Sequence, residues 1–291
     1  MDLYEDIKQG EKGAIVSICA YLALSAIKLA AGWMFDSEAL AADGFNNVTD
    51  IIASIAVLVG LRISRKPPDL NHPYGHLRAE TIAAMIASFI MASVGIQVGI
   101  AAVRSLWRGG GAAPEPIAGW IAFGSAAVMF VIYAYNADLA RRINNQALMA
   151  AAQDNRSDAL VSIGAAVGIF GTGIGLPWLD AVAALAVGAI ILRTAWSIFI
   201  GATIALTDGF DIKQLKSLRA TVERTEGVKS IQDIRARIHG SRVLVDVIIT
   251  VDPSISLVES HKICDLIEQR MKSMHDIMNV HVHVEPDSIM K

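Results

Sequence analysis

Residues Leu40–Ile63 read LAADGFNNVTDIIASIAVLVGLRI, an apolar stretch with acids and amides near its start. This stretch is longer than the ~20 residues that an α-helix needs to cross the hydrocarbon core of a bilayer. Five more stretches share its character: Ala14–Met34, Ala79–Trp107, Ile117–Leu139, Ala147–Gly171 and Trp178–Leu206. Because backbone polar groups inside a membrane must be satisfied within the segment, we predict six transmembrane helices.

The composition of the 291-residue chain agrees with a membrane protein. Hydrophobic residues make up 54% of the chain and charged residues 18%, whereas charged residues approach ~25% in soluble domains. The formal net charge of -3 argues against a strongly basic nucleic-acid binder. Cys19 and Cys264 form no CxxC pair, so the sequence predicts neither a disulfide framework nor a thiolate metal site.

The basic residues predict the orientation in the membrane, since short cytoplasmic loops are enriched in Lys and Arg. With the N-terminus in the cytoplasm, that side carries Lys8, Lys12, Arg62, Arg65, Lys66, Arg78, Arg141 and Arg142. The opposite side carries only Arg104 and Arg108, near the end of the third stretch. Both termini are therefore predicted to be cytoplasmic, and the compact length fits a bacterial inner (plasma) membrane.

The chain changes character after Leu206, where helical and alternating patterns replace the long apolar stretches. The predicted elements are a helix over Lys213–Thr225, strands over Ser230–Ile238 and Arg242–Val251, a helix over Val258–Met274 and a strand over Asn279–Glu285. The fold class predicted is thus a mainly α membrane protein with a small α+β domain. Residues 1–206 would form the six-helix transmembrane domain, and 207–291 a cytoplasmic αββαβ, ferredoxin-like domain.

Two of the predicted spans carry polar side chains four residues apart. Asn46 and Asp50 share one face of the second helix, and Asp154 and Asp158 share one face of the fifth. A carboxylate at a helix centre costs ~2.5–3.5 kcal/mol on insertion scales, and intramembrane acids usually mark ion pathways. The alternative is that these residues cap helix ends, pair with Arg156 or face lipid headgroups. Two matched pairs on separate helices favour an ion site.

Two such pairs can close a pocket of four oxygen ligands. Three neighbouring carboxylates repel one another unless they are protonated or neutralised, and a divalent cation supplies that neutralisation. Exchange of a metal for protons at such a pocket is the basis of an antiporter. Lys28 of the first helix either pairs with Asp43 or extends toward a membrane interface. We favour the pair, because it relieves two membrane charges at once.

Four motifs resemble the cation diffusion facilitator family of divalent metal exporters. They are SEALAAD (37–43), which leads to Asn46 and Asp50, then HPYGHLRAE (72–80), DNRSD (154–158) and HVEP (283–286). The resemblance covers nearly the whole chain. It implies that Asn46, Asp50, Asp154 and Asp158 form the transport site, and that the protein is a homodimer through its terminal domains.

The absence of histidine from these four positions indicates which metal ion is transported. Zinc-transporting members of the family usually place at least one His there. Oxygen ligands suit harder ions such as manganese, and the Asn-Asp-Asp-Asp set resembles the family's manganese-exporting branch. Intrinsic affinity still rises from manganese toward zinc, so export of zinc, iron or cobalt is kept as the alternative.

The loop between the second and third helices holds a second candidate site. Asp69, His72 and His76 match a metal position seen in some family members. Pro73 and Gly75 lie between the histidines, so an irregular loop is predicted. The alternative is a loop that orders itself by hydrogen bonds.

The terminal domain holds a third candidate site. His261, His283 and Glu285 match a regulatory metal position that lies between two subunits in the family. Gln232 and Ile248 stand where zinc members often carry His, so a weak or absent site is favoured. Surface imidazoles are the simple alternative.

The predicted mechanism is proton-coupled efflux by alternating access, since no ATP motif is present. The resemblance implies that helices one, two, four and five move against three and six. The species carried are the metal and protons, and neither a catalytic residue nor a resident cofactor is expected. A metal-sensing membrane protein without flux is the alternative from another class. A membrane hydrolase is disfavoured, because the sequence has no HExxH motif.

Overall fold

A computed structural model describes residues 3–35, 38–108, 115–176, 178–275 and 277–287. The first motif residue, Ser37, lies outside these ranges. The chain divides into two compact units, Met1–Ala202 and Thr203–Lys291. This division falls four residues before the predicted boundary at 206/207.

Six long helices occupy the described part of the first unit and the start of the second. They are α1 (Leu3–Met34), α2 (Glu38–Ser64), α3 (Arg78–Arg108), α4 (Pro116–Arg142), α5 (Gln146–Gly173) and α6 (Trp178–Leu206). Each overlaps one predicted span. The largest extension is at the start of α1, which begins eleven residues before the predicted Ala14.

Five of these helices are long and apolar enough to cross a membrane. The qualifying segments, among the residues described, are Asp6–Met34, Asp43–Ser64, Arg78–Trp107, Pro116–Arg142 and Leu185–Leu206. The helix left out is α5, which has 28 residues and a length of ~42 Å. The polar sequence QDNRSD at 153–158 lowers its apolar character. A sixth span through α5 therefore stays a prediction.

The long helices of the first unit pack as two close pairs that contact one another. α1 lies along α2, α4 lies along α5, and α1 also contacts α4 and α5. Gly44 permits the close approach of α1 and α2, because a Cβ there would stand 3.0 Å from the Leu29 backbone nitrogen. Gly188 plays the same part between α6 and α3, where a Cβ would stand 3.3 Å from the carbonyl oxygen of Gly95.

Apolar clusters lie on both sides of the bundle's middle. Near one end, Ile7, Val57, Leu61, Leu77 and Ala147 belong to one buried cluster. Toward the other end, a second cluster contains Ala31, Leu40, Ala118, Ala122, Ala166 and Ile169. The middle turns of α1, α2 and α5 lie between these clusters, and the predicted polar pairs belong to those turns.

The second unit contains a two-layer α+β fold. Its elements are α7 (Ile212–Glu223), β1 (Ser230–His239), β2 (Arg242–Val251), α8 (Leu257–His275) and β3 (Asn279–Pro286). Within the described residues the sheet order is β1-β2-β3. β1 pairs with β2 in antiparallel fashion and β3 pairs with β2 in parallel. The α+β prediction is confirmed, and helix α8 provides the crossover that a parallel pair requires.

The core of this unit lies between the sheet and its helices. The fully buried residues Val222, Ile249, Ile267 and Met271 belong to it, from α7, β2 and α8. Alternation along β3 buries Val280 and exposes His281 and His283. The histidines of β3 therefore lie on the solvent face, as the sequence pattern predicts.

Candidate metal centre

Three carboxylates meet in the middle of the bundle. Asp50 comes from α2, and Asp154 and Asp158 come from successive turns of α5. One oxygen of each lies within 4.8 Å of the others. Their exposed fractions are 1%, 6% and 2%. The structure thus brings all three predicted acids to one buried point.

Asn46 is the fourth predicted side chain, and it lies at the same point. Its Nδ2 donates to Asp50 Oδ2 at 3.2 Å and to Asp158 Oδ1 at 3.3 Å. Rotation of the amide about its last bond exchanges the nitrogen and oxygen, so Oδ1 can turn toward a cation instead. The four oxygen-bearing side chains surround one position, and their binding of a metal stays a prediction.

The carboxylates of the metal centre are surrounded by too few hydrogen-bond donors. Asp50 Oδ1 is buried and accepts no hydrogen bond from any residue in the described ranges. A buried acceptor without a partner is costly, and a buried charge is far more so. A divalent cation would supply the missing partner and neutralise two of the three negative charges.

Tyr21 of α1 is a site residue that the sequence interpretation missed. Its hydroxyl donates a short hydrogen bond to Asp158 and lies 3.5 Å from Asp154 Oδ2. The side chain is completely buried. The available signal was a polar stripe on α1, with Ser17, Tyr21, Ser25 and Lys28 at helical spacing.

A buried amide network holds the Tyr21 hydroxyl in place. Asn155 Nδ2 donates to the hydroxyl at 2.9 Å. The Oδ1 atom of Asn155 accepts from Ser17 Oγ and from Asn136 Nδ2, each at 3.0 Å. This network joins α1, α4 and α5 directly behind the acids, and it fixes the direction in which Tyr21 donates.

We expect Tyr21→Phe to weaken Mn²⁺ binding by about tenfold, the scale seen when a partner that orients a metal ligand is removed. The change deletes the donor to Asp158 and leaves the Asn155 amide without its acceptor. Isothermal titration of the purified protein with Mn²⁺ measures the effect. Tyr135→Phe on the exposed side of α4 is the matched control. Equal affinity of the two variants would exclude a positioning role.

A buried ion pair lies about one turn from the metal centre. Lys28 Nζ is 2.8 Å from Asp43 Oδ2, and both side chains are almost fully buried. Ser162 Oγ of α5 accepts from Lys28 and donates to Asp43, each at 2.9 Å. The predicted pairing of Lys28 is confirmed, and it satisfies one positive and one negative charge within the bundle.

Lys28→Met should lower the free energy of unfolding by about 3–5 kcal/mol, because Asp43 would keep a buried charge without a partner. The double variant Lys28→Met/Asp43→Asn removes both charges and should recover most of this loss. Unfolding in detergent micelles, followed by circular dichroism, measures the three proteins. A double variant as unstable as the single one would contradict this assignment.

The loop candidate site is assembled in an irregular segment, as predicted. Asp69, His72 and His76 form a group of possible metal ligands. Nδ1 of His72 lies 3.2 Å from Asp69 Oδ1, and Nε2 of His76 lies 3.5 Å from Oδ2. The alternative also has support, because the backbone N–H groups of Asn71 and His72 donate to Asp69 Oδ1. The donation from His72 is the main cause that lowers the pKa of Asp69.

The terminal candidate site is not assembled within one subunit. Nε2 of His283 lies 3.7 Å from Glu285 Oε1. His261 is exposed on α8, and its Nε2 lies 3.8 Å from Asp265 Oδ1. Among the described residues His261 joins no group of three ligand-type side chains. Gln232 instead donates to Glu285 Oε2 at 2.7 Å, so a metal here would require ligands from a second subunit.

A helical protein with several apolar spans and a buried acidic centre has the features of a membrane cation transporter. Residues 14–206 match the cation efflux transmembrane domain, and residues 211–287 match the cation efflux protein cytoplasmic domain. The chain therefore belongs to the cation efflux family, and its resemblance to cation diffusion facilitators is confirmed. Family membership places it among transporters and argues against the membrane hydrolase.

Relatives from Bacillus subtilis (strain 168) align along the whole chain. The manganese efflux system protein MneS is 53% identical over 98% of this chain and 99% of its own. The manganese efflux system protein MneP is 32% identical over 94% and 95%. A solved MamM C-terminal domain is 25% identical and covers 27% of this chain and 100% of its own, with a TM-score of 0.26.

Proposed function

We propose that this protein exports Mn²⁺ from the cytoplasm in exchange for protons, with Asn46, Asp50, Asp154 and Asp158 as the transport site. The observation that carries the proposal is the convergence of three buried carboxylates and one amide from α2 and α5. Manganese is favoured because every ligand is an oxygen. The names of the relatives MneS and MneP support the same ion. Zinc, iron and cobalt are the alternatives within the family.

Proton exchange follows from the charge of the site. Three carboxylates carry about -1 together with a divalent ion, and they repel one another strongly without it. Protons that enter from the outer side can replace the ion and return inward. The site must change geometry between its inward-facing and outward-facing states, since equal affinity in both would give no directed release. Motion of α1, α2, α4 and α5 against α3 and α6 provides that change.

The assembly we propose is a homodimer in a bacterial inner membrane, with both termini cytoplasmic. The excess of basic residues in the loops of that side supports the orientation. The terminal αββαβ unit, residues 207–291 of the prediction, supports dimerisation through its open surface and sheet edges. The metal sites at Asp69, His72 and His76, and at His261, His283 and Glu285, are secondary parts of the proposal.

Mn²⁺ uptake into inside-out membrane vesicles with an acidic interior tests this function. The wild type should accumulate Mn²⁺ while the interior becomes more alkaline, and collapse of the pH gradient by a protonophore before Mn²⁺ is added should stop the uptake. Asp50→Ala and Asp154→Ala should reduce uptake to background. Binding of Mn²⁺ without flux would favour the metal-sensing protein, and undiminished uptake by both variants would exclude the proposed site.

A further inference from the structure

A cavity of about 840 Å³ lies in the first unit, on the flank of the helix bundle. Its walls come from α6, from the first half of α5, from the end of α4 and from Ala84 of α3. Val187, Ile191 and Ala195 of α6 belong to a buried cluster with Met91 of α3. A neighbouring stripe of α6, which includes Ile190, Arg193 and Ser197, faces the cavity.

This cavity is separate from the metal centre. Gln146, Met149, Gln153 and Arg156 line it at spacings of three and four residues, so one face of α5 forms its wall. The ligand pair of α5 follows a different stripe and turns toward α2. None of the four metal-centre residues lines the cavity. The cavity therefore needs its own explanation.

Among the described residues, the lining is basic and contains no acid. Arg141, Arg156 and Arg193 contribute guanidinium groups, and the other polar lining residues are neutral. None of the three arginines has an ion pair with any residue in the described ranges. In the part of the chain that the structure describes, their one electrostatic contact is a cation–π contact, in which the guanidinium carbon of Arg156 lies 6.0 Å from the centre of the Tyr133 ring. Arginine within a membrane segment is costly without a partner, so three together call for an anion.

The basic lining extends from the ends of the helices into the bundle. Arg141 is in the last turn of α4. From the corresponding ends of α5 and α6, Arg156 and Arg193 lie roughly 15 and 20 Å along the helix axes, and long arginine side chains reach toward the interface. In the orientation proposed above, Arg141 lies at the cytoplasmic leaflet, which carries the anionic lipids.

We infer that this cavity binds a phosphate-bearing anion, and that the anion is the headgroup of an anionic phospholipid such as phosphatidylglycerol. Guanidinium groups bind phosphate oxygens in bidentate geometry, and the volume lies within the usual range for small-molecule sites, roughly 300–1,000 Å³. The bound lipid neutralises the arginines and fills the gap between α5 and α6. The inference uses the proposed orientation but does not depend on metal transport.

Native mass spectrometry of the full-length protein in detergent tests this site. The protein is supplied with equal amounts of phosphatidylglycerol and phosphatidylcholine, and the bound lipid is counted. The wild type should retain phosphatidylglycerol selectively. Arg141→Gln/Arg156→Gln/Arg193→Gln should reduce that retention by about tenfold or more, since it removes all three charge-assisted contacts. Lys229→Gln/Arg235→Gln/Lys272→Gln removes the same charge from the second unit and should retain lipid as the wild type does.

The remaining arms separate the possible sources of the anion. Mn²⁺ titration of the triple arginine variant reports whether it is folded, because the metal centre lies on another face of α5. The single variant Arg193→Gln supplies a milder change if the triple variant fails this check. Displacement of the bound species by millimolar inorganic phosphate, with no preference for phosphatidylglycerol, would overturn the lipid assignment in favour of a soluble anion. Equal lipid retention by the wild type and the arginine variants would overturn the site itself.

Discussion

Asp50→Asn is expected to abolish Mn²⁺ export and to weaken Mn²⁺ binding by at least about a hundredfold, the upper scale for loss of a partner that only supports a metal ligand. The substitution keeps the shape of the side chain but removes one of three negative charges. It also sets an amide against Asn46 and Asn47, whose Nδ2 atoms both donate to Asp50 Oδ2. Uptake of radioactive manganese by inside-out vesicles and calorimetric titration measure the two effects.

Asp138→Asn is the control for this prediction. Asp138 is an exposed acid of α4 that pairs with Arg142, so it loses the same charge outside the metal centre. It should transport as the wild type does. If Asp50→Asn bound and exported Mn²⁺ as well as Asp138→Asn, the α2 acid would have no part in ion binding.

Asn46→His should change the ion that is exported, giving zinc transport at the expense of manganese. Imidazole nitrogen is a preferred ligand for zinc, whereas manganese favours oxygen. Asn46 is half-buried and its amide lies within 3.3 Å of two acids, so a ring nitrogen at this position reaches the same ion. We expect the ratio of zinc to manganese uptake to rise about tenfold or more, a difference of ~1.4 kcal/mol in preference.

A toxicity panel in cells without their own exporters measures this change in selectivity. The wild type should protect against manganese, and Asn46→His should protect against zinc. Gln153→His adds an imidazole to the cavity face of α5 and should leave the ion preference unchanged. Unaltered manganese protection by Asn46→His would mean that ligand chemistry at position 46 does not set selectivity.

Much of the metal centre could be predicted because its side chains come in pairs spaced four residues apart on single helices. Asn46 with Asp50, and Asp154 with Asp158, show their shared faces in spacing alone. The same physics explains the well-placed bounds of β2, which the structure and the alternating pattern both give as Arg242–Val251. Local periodicity is sufficient wherever one element carries the whole signal.

Contacts between helices were harder to predict. Tyr21 stands 133 residues before Asp154, and nothing in the local pattern of α1 names its partner. Arg141, Arg156 and Arg193 likewise come from three helices, and each alone is an ordinary basic residue near a span. In α5 the site itself weakens the signal for a membrane span. The polar side chains that build the metal centre lower the hydropathy of this helix, which is the one of the six that does not qualify as a span among the described residues.

The terminal candidate site illustrates a different limit. His283 and Glu285 lie two apart on the exposed face of β3, and a resemblance can associate them with His261 of α8. Within one subunit the geometry leaves His261 with Asp265 and leaves Glu285 with Gln232. Among the described residues no third ligand completes a site there, so ligands from a second copy of the chain would be needed, and the sequence of one chain does not specify that contact.

Anomalous X-ray diffraction at the manganese absorption edge, from crystals grown with Mn²⁺, would locate the bound ion directly. We predict a strong peak enclosed by the side chains of Asn46, Asp50, Asp154 and Asp158, which disappears in crystals of Asp158→Asn. Manganese peaks only at the loop of Asp69 or in the terminal unit, with the buried acids of α2 and α5 left without metal at saturating Mn²⁺, would show that these acids do not form the transport site.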